Sequence, residues 1–256
     1  MNAVKTLIEP IRLLVNAPAQ YAMRLAGSME EIRAAQELRF EVFNVELNEG
    51  LASSYSTGRD EDPFDAVCDH LIIEHRPSKK IVGTYRLQTG MTAAKNLGYY
   101  SEQEFQFEVF EQFRPGIIEL GRACIDANHR NLIVLGLLWK GIANYSKQKG
   151  GRYLIGCSSI TSQDPAAGAS AYAELCRKYL ASVEWRTVPK AEYDCPLNLL
   201  PEEPCKIPKL LRAYLGIGAK ICGPPALDQE FKTIDFLTLL DLEAMPALVR
   251  QRFFMD

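Results

Sequence analysis

The sequence is short of the features that mark membrane, metal and disulfide proteins. It contains no apolar run of the roughly 18 residues that a membrane-spanning helix needs. Seven cysteines, an odd number, are scattered without a CxxC pair, and only three histidines accompany them. This argues against a zinc site or a disulfide framework and favours a reducing cytoplasm. The net charge of −3 excludes the basic field of a general nucleic-acid-binding protein.

Signatures of common catalytic classes are absent as well. The sequence has no G-x-S-x-G elbow, no P-loop and no G-x-G-x-x-G after a predicted strand. The three histidines, His70, His75 and His129, do not share the spacing of metal ligands. Ser-His-Asp hydrolysis and zinc catalysis therefore lack support.

The chain begins with an amphipathic, mildly basic segment, residues 1–20. Its apolar residues recur at helical spacing: Val4, Leu7, Ile8, Ile11, Leu14 and Val15. The pattern predicts a helix that either packs on the rest of the protein or lies on a membrane surface. No linker is visible between residues 21 and 245, so residues 21–256 are predicted to form a single domain.

The rest of the pattern alternates between strands and helices. Strands are predicted over residues 21–26, 67–74, 81–88, 117–126, 153–160, 219–222 and 233–240. Helices are predicted from Ser28 to the turn at 48–50, and over 101–113, 132–148, 169–183, 209–215 and 246–253. An antiparallel meander followed by strand–helix–strand predicts an α/β fold with a mixed central sheet and helices on both faces.

Charged residues interrupt these strands. Glu119 and Arg122 lie on one predicted strand, and Gly121 between them permits a bulge that would re-aim one side chain. Arg86 on the preceding strand could pair with Glu119. Arg39 and three aspartates supply further charges: Asp62, Asp65 and Asp69. The set is typical of either a salt-bridge network or an active site, since a buried network is costly unless each charge has a partner.

These residues resemble the acyl-homoserine-lactone synthases, acyltransferases of the GNAT-like fold that take acyl chains from acyl carrier protein. The matching positions are Arg39, Phe43, Asp62, Asp65, Arg86, Glu119 and Arg122. The resemblance is closer to their relatives, the bacterial ornithine N-alpha-acyltransferases and N-acyl amino acid synthases, often labelled hemolysin-like. Here the shared stretches are Phe64-Asp65, Cys68-Asp69-His70-Leu71, Glu119-Leu120-Gly121-Arg122, and residues 218–226 and 231–235. The resemblance covers residues 21–241.

Two departures refine the function that this resemblance implies. Lactone synthases usually have a tryptophan soon after the matched Phe43, and residues 45–51 contain none, which favours an amino-acid acceptor. The loop 128–136 keeps Arg130 but lacks the glycines of the GNAT phosphate loop, which favours a protein-carried phosphopantetheine over acetyl-CoA. The implied enzyme moves a fatty or 3-hydroxy fatty acyl group from acyl carrier protein to an amino acid's α-amine. Ornithine is the preferred acceptor, giving lyso-ornithine lipid.

Several alternatives fit the same residues. Glycine, glutamine, lysine or an aromatic amino acid could be the acceptor, and acyl-CoA could be the donor. The protein could also be a homoserine-lactone signal synthase or a non-catalytic, membrane-associated binding protein. The expected location is the cytoplasm or the inner face of the membrane, with peripheral contact through residues 1–20. No metal, tightly bound cofactor or nucleic-acid partner is expected.

The reaction suggests a role for each candidate residue. Because attack on a thioester needs a neutral amine, Glu119 is predicted to act as base, with Arg86 and Arg122 orienting it or holding the acceptor's carboxylate. The predicted substrate-binding residues are Arg39, Phe43, Asp65, Asp69, Ala123 and Cys124. The two aspartates are candidates for an ammonium group of the acceptor. Arg130 and Lys140 are predicted to bind the phosphate of the phosphopantetheine.

Cys124 and two sets of apolar residues are predicted to belong to the core. Cys124 fits a small buried residue better than an acyl-enzyme nucleophile. The two sets are interpreted as core in preference to an acyl tunnel: Leu132, Leu135, Leu138 and Trp139, and Phe105, Phe107, Phe110 and Phe113.

Overall fold

The computed structural model describes residues 20–199 and 205–253, and eight strands in these ranges form one sheet. The strands are β1 Tyr21–Leu25, β2 Asp69–His75, β3 Lys80–Thr89, β4 Ile117–Ile125, β5 Tyr153–Ile160, β6 Lys220–Ile221, β7 Ala226–Asp228 and β8 Thr233–Asp241. The amphipathic helix predicted over residues 1–20 lies, apart from residue 20, outside the described residues.

The helices are listed in chain order. They are α1 Met29–Phe40, α2 Ser54–Thr57, α3 Gly90–Lys95, α4 Leu132–Lys149, α5 Pro165–Tyr179, α6 Lys209–Gly216 and α7 Ala247–Phe253. A π-helical turn, Glu41–Glu46, extends α1. None of the helices in the described ranges is long and apolar enough to span a bilayer.

The sheet has the order β1-β2-β3-β4-β5-β8-β6, with β7 also paired to β8. All its neighbouring strands are antiparallel except β4 and β5. These two are parallel, and their pairing covers only Ile117–Glu119 of β4 and Tyr153–Ile155 of β5. The predicted mixed sheet is confirmed, and its two central strands separate after three residues.

Helices cover both faces of the sheet, as predicted. Leu138 and Trp139 of α4 pack with Tyr85 and Leu87 of β3 in the largest apolar cluster. Arg86 lies between those two β3 residues, so its side chain points to the opposite face. There it meets the side of the sheet that α1 covers.

Side-chain caps and a glycine define the termini of α1 and α4. Ser28 caps α1 by accepting a hydrogen bond from the Glu31 amide at 3.4 Å. Asn131 caps α4, and its side chain accepts from the amides of residues 133 and 134. Gly150 ends α4 with φ 69°, the left-handed conformation that a glycine adopts without strain.

The α-helix predicted over residues 101–113 is wrong. The segment forms two 3-10 stretches, Ser101–Gln103 and Glu108–Gly116. The helix was predicted from the spacing of Ser101 and Glu104, which is that of a capping box. The Ser101 amide instead donates to Glu119 and the Glu104 side chain is buried, so no capping box forms. Helix α5 also begins four residues earlier than predicted, because Asp164 caps it ahead of a proline at the first helical position. α2, α3 and β7 were not predicted.

The close approach of β4 and β5 depends on Gly156. A Cβ atom there would lie 2.1 Å from the Leu120 carbonyl oxygen, whereas a Cβ atom at Gly121 would meet nothing within 4 Å. We expect Gly156→Ala to destabilise the protein by about 2 kcal/mol or more through overpacking against backbone. At roughly 2–4 °C per kcal/mol, its melting temperature should fall by about 4 °C or more. The control Gly121→Ala should change it by less than about 2 °C. Equal effects of the two substitutions would contradict this account.

Candidate active site

A bulge re-aims β4 where it separates from β5. Thr84 pairs with Cys124 and Arg86 with Gly121, so two β4 residues, Arg122 and Ala123, share the gap between these pairs with one β3 residue. Arg122 has φ 49°, in the left-handed region that costs free energy for a residue other than glycine. The bulge that Gly121 was expected to permit is present, with Arg122 and not Gly121 as its left-handed residue.

Six charged side chains form a closed ring of ion pairs beside this bulge. Arginines and aspartates alternate in the order Arg39, Asp65, Arg86, Asp62, Arg122 and Asp60. The six N···O contacts are 2.6–3.2 Å long, and each side chain is at most 10% exposed. The ring joins α1, the loop before β2, β3 and β4. The ring matches the salt-bridge alternative for the three arginines, Asp62 and Asp65. It leaves out Glu119 and Asp69 and adds Asp60, which the sequence analysis missed.

Asp65 is held on two sides within this ring. On one side, the turn that begins after Asp62 fixes the Asp65 carboxylate, which accepts a hydrogen bond from the Asp62 amide at 3.2 Å. Both terminal nitrogens of Arg39 donate to its carboxylate, at 2.9 and 2.7 Å. Burial alone would raise the pKa of Asp65, but the guanidinium groups of Arg39 and Arg86 hold that pKa well below its usual range. Asp65 is therefore an ionised member of the ring.

Aromatic rings sandwich the two arginines that face the cavity described below. The Arg86 guanidinium carbon lies 5.5 Å from the centre of the Phe64 ring and 5.0 Å from that of Tyr100. The corresponding distances for Arg122 are 4.6 Å to Tyr100 and 4.4 Å to Phe231. These cation–π contacts fix both guanidinium planes. Among the described residues, Arg86 Nη2 has no hydrogen-bond partner although it is buried.

Glu119 is held by three hydrogen bonds from one side of the sheet. Gln88 Nε2 donates to it at 2.6 Å, and the amides of Tyr100 and Ser101 donate at 2.8 Å each. The predicted pairing of Glu119 with Arg86 is wrong. The register places Gln88 of β3 opposite Glu119. Arg86 lies opposite Gly121, two residues further along β4.

A cavity of about 330 Å³ lies where β4 and β5 separate. One wall is apolar and belongs to the core beneath α4: Tyr85, Leu87, Trp139, Leu154, Tyr214 and Leu240. The other wall is charged: Arg86, Arg122, Glu119, Glu104, Asp228 and Asp235. An extended acyl thioester and a polar acceptor could thus meet at the gap. An open cavity that reaches Glu119 also favours the enzyme over the non-catalytic alternative.

Three buried carboxylates cluster on the charged wall. One oxygen from each of Glu104, Asp228 and Asp235 lies within 4.8 Å of the others, an arrangement that could hold a cation. Burial and the neighbouring carboxylates raise the pKa of Glu104 well above its usual value, and burial raises the pKa of Asp235 to about 6. The sequence analysis missed this cluster. Its one signal was Asp235, an acidic residue inside a predicted strand that is mostly apolar.

Two of the predicted substrate-binding residues, Phe43 and Ala123, line the cavity, and Phe43 packs edge-on against Phe231 at 5.5 Å. The structure does not bring Arg39, Asp65 or Cys124 to the cavity wall. Arg39 is fully buried within the ring. Cys124 lies in an apolar cluster where burial raises the pKa of its thiol, which fits the predicted core role and not a thiolate nucleophile.

Asp69, Arg130 and Lys140 lie away from the cavity. Asp69 accepts from the Tyr145 hydroxyl at 2.8 Å and lies 4.0 Å from the Lys149 ammonium, so neither it nor Asp65 is free for an acceptor's ammonium group. Arg130 is paired with Glu46 at 2.6 Å. Lys140 is exposed in the middle of α4.

The aromatic and leucine sets are mostly core, as predicted. Of the four α4 residues considered for an acyl tunnel, Trp139 alone lines the cavity, and Leu138 is buried in the apolar cluster. Phe105, Phe107 and Phe110 are buried in a second cluster on the other face of the sheet.

Comparisons with known proteins agree with this geometry. Residues 38–140 match the acetyltransferase (GNAT) domain family. The L-ornithine N(alpha)-acyltransferase of Brucella abortus (strain 2308) is 34% identical over 241 residues, which cover 86% of this chain and 84% of the relative. The protein of that name from Agrobacterium fabrum (strain C58 / ATCC 33970) is 35% identical over 237 residues, with 87% and 81% covered.

Two solved structures share the fold at low sequence identity. FeeM, an N-acyl amino acid synthase from uncultured soil microbes, aligns with a TM-score of 0.53 and 11% identity over 90% of this chain and 96% of FeeM. The acyl-homoserine-lactone synthase LasI aligns with a TM-score of 0.51 and 12% identity over 91% and 94%. The separated central strands and these matches define a GNAT-fold acyltransferase. Within that class, the chain belongs to the L-ornithine N(alpha)-acyltransferase family.

Asp65→Asn tests the ion-pair ring. The substitution leaves Arg39 and Arg86 each short of a counter-charge, and loss of one partner from a buried pair costs about 3–5 kcal/mol. We expect the free energy of urea unfolding at pH 6 to fall by that amount. The control is Glu61→Gln, because Glu61 forms an exposed pair with Arg59 at 3.2 Å and should contribute at most about 1 kcal/mol. A loss no larger than that of the control would contradict the role of the ring.

The effect of Asp65→Asn should also depend on pH. The native pKa of Asp65 is lowered, so its contribution to stability is fully present above the unfolded pKa of about 4. That contribution is lost as the pH falls through the native pKa. The difference in unfolding free energy between the wild type and the variant should therefore narrow from about pH 4 downwards. A constant difference between pH 6 and pH 3 would contradict this.

Proposed function

We propose that this protein transfers a fatty or 3-hydroxy fatty acyl group from acyl carrier protein to the α-amine of ornithine, forming lyso-ornithine lipid. The observation that carries the proposal is the cavity at the gap between β4 and β5, which joins an apolar wall to a charged wall. The relatives that share a third of their residues with this chain are L-ornithine N(alpha)-acyltransferases, which supports ornithine as the acceptor.

The donor thioester lies in the gap between the strands. Beyond the close contact of Leu120 with Gly156, β4 has no pairing with β5 and lines the cavity, so its backbone groups are available to an extended phosphopantetheine arm. The apolar wall beneath α4 then takes the acyl chain. At the start of α4, the Asn131 side chain already accepts from two of the amides that could bind a CoA pyrophosphate. This favours a donor carried by a protein, with acyl-CoA as the alternative.

The predicted phosphate-binding residues need rearrangement to serve such a donor. Arg130 would have to leave Glu46, to which it is paired on the protein surface. Lys140 lies eight residues into α4, about 12 Å from its first residue at 1.5 Å per residue. Both remain candidates for the phosphate or for the acidic surface of the carrier protein.

The acceptor binds at the charged wall. Arg86 Nη2, which has no partner among the described residues, and the Arg122 guanidinium hold its α-carboxylate. This places the α-amine towards Glu119, which accepts a proton from it directly or through a water molecule. Phe43 and Ala123 close the space around the acceptor.

The reaction then proceeds by direct attack. The neutral amine forms a C–N bond to the thioester carbon, and a backbone N–H of the bulge, at Arg122 or Ala123, stabilises the oxyanion. Collapse of the tetrahedral intermediate breaks the C–S bond. Glu119 passes the proton that it took from the amine to the departing thiolate, directly or through a water molecule. The products are the amide and the free phosphopantetheine thiol, and Glu119 is ionised again.

Purified protein should form N-acylornithine from ornithine and acyl carrier protein loaded with a fatty acyl or 3-hydroxy fatty acyl group. Mass spectrometry detects the product. Fragmentation should locate the acyl group on the α-nitrogen, and acyl-CoA at the same concentration should react more slowly. Reactions without ornithine, or with heat-treated protein, are the controls. Acylation of another amino acid in preference to ornithine would reassign the acceptor, and the absence of product with every amino acid would refute the proposal.

Glu119→Gln tests the proposed base. It should lower kcat by about 10²-fold or more, because the amide cannot accept the proton of the amine. Glu102→Gln is the matched control, since Glu102 accepts from the Tyr99 amide in the same turn at 3.2 Å but does not line the cavity. Melting temperatures of both variants verify that they fold. Near-normal turnover by a folded Glu119→Gln protein would remove this role.

A further inference from the structure

We propose that Glu104, Asp228 and Asp235 bind the side-chain ammonium group of the acceptor and thereby select a diamino acid. The inference rests on the proposed function, because it concerns the far end of the same substrate. It also replaces Asp65 and Asp69, whose carboxylates are engaged elsewhere.

The three carboxylates keep oxygens that an ammonium group could use. Asp235 Oδ1 has no hydrogen-bond donor among the described residues, although the residue is only 4% exposed. Asp228 Oδ1 accepts from the amides of Glu230 and Phe231 at 2.9 and 2.8 Å, which leaves Oδ2 for an ammonium donor. Glu104 receives a long contact from the Cys157 thiol at 3.8 Å. Since an ammonium group has three N–H donors, three convergent carboxylates match it.

Without a ligand, the cluster lowers the stability of the folded protein. Buried carboxylates that face one another repel and lose hydration, so they are retained at a cost in stability unless a cation or protons neutralise them. The charge of Arg122 favours ionised Glu104, but Asp60 and Asp62 already balance that charge within the ring. In residues 20–199 and 205–253, no ion pair joins a lysine or arginine to the cluster. A cationic ligand supplies the missing charge.

The cluster lies in the same cavity as the proposed reaction centre. Glu104, Asp235 and Glu119 line it together with Cys157 of β5, whose thiol lies 3.8 Å from a Glu104 carboxylate oxygen. The cluster and Glu119 can therefore receive two amines of one small molecule. In ornithine, three methylene groups separate the α-carbon from the side-chain amine, so the α-amine can face Glu119 while the other amine meets the cluster.

Kinetics with ornithine and norvaline isolate this contact, because norvaline has the same carbon chain without the terminal amine. Wild-type kcat/KM should be about 10²-fold or more higher for ornithine, since norvaline leaves the buried carboxylates unpaired. Asp235→Asn and Glu104→Gln should each reduce this ratio by about 10-fold or more, mainly through the KM for ornithine. Asp241→Asn is the control on the same strand; it breaks an exposed pair with Arg152 and should keep the ratio.

Thermal unfolding without a donor gives a readout independent of turnover. Both cluster variants should melt at or above the wild-type temperature, because each removes repulsion between buried carboxylates. Ornithine at ten times its Kd should raise the wild-type melting temperature by about 3 °C or more, and norvaline at the same concentration by less. In the Asp235→Asn variant, ornithine and norvaline should shift the melting temperature equally.

The outcomes separate this inference from the proposed function. Equal wild-type kcat/KM for ornithine and norvaline would overturn the inference and leave the acyltransferase intact. An ornithine-specific thermal shift without any acylated product would support the inference and count against the proposed reaction. Stabilisation of the wild type by Mg²⁺ or Ca²⁺, lost in Asp235→Asn and without any shift from ornithine, would make the cluster a metal site and overturn the inference.

Discussion

The alternating ring of three arginines and three aspartates is the constraint on which the site depends. It joins one helix, one loop and two strands, and each charge in it is balanced by two neighbours. Because these charges are buried, moving any one of the four segments would leave an unpaired charge in a medium that solvates it poorly. The ring also offsets the strain at Arg122, whose left-handed backbone aims its guanidinium between two aromatic rings.

The separation of two central strands brings an apolar surface and a charged surface to one point. The two faces of a sheet are normally isolated from each other by the backbone. Here the pairing of β4 with β5 stops at Glu119, and the cavity passes from the α4 face to the opposite face through the gap. The apolar and charged walls therefore meet at unpaired backbone groups, where a thioester carbonyl can be polarised.

Most of the fold could be predicted from local patterns, and most of the charged wall could not. Alternation, caps and a terminal glycine are properties of adjacent residues, so the long strands and α4 were found within one or two residues. The 101–113 segment was misjudged because its amide at Ser101 is satisfied by Glu119, far along the chain. The pairing of Arg86 with Glu119 was predicted wrongly because it depends on the register between β3 and β4, which the sequence does not reveal. The Glu104–Asp228–Asp235 cluster joins positions more than 100 residues apart, which no spacing rule connects.

The ion-pair ring and the acidic cluster share no residue and come from different segments of the chain. Asp228 and Asp235 belong to a strand pair at the far side of β5, outside the four segments that the ring ties together. Under the role proposed for the cluster, substitutions there would change which acceptor is recognised without disturbing the frame that holds Arg86 and Arg122. Acceptor preference would then be a separable trait. Related enzymes could diverge towards glycine, glutamine or longer diamines by changing a few carboxylates, and the same positions are the place to begin redesigning the head group of an aminolipid.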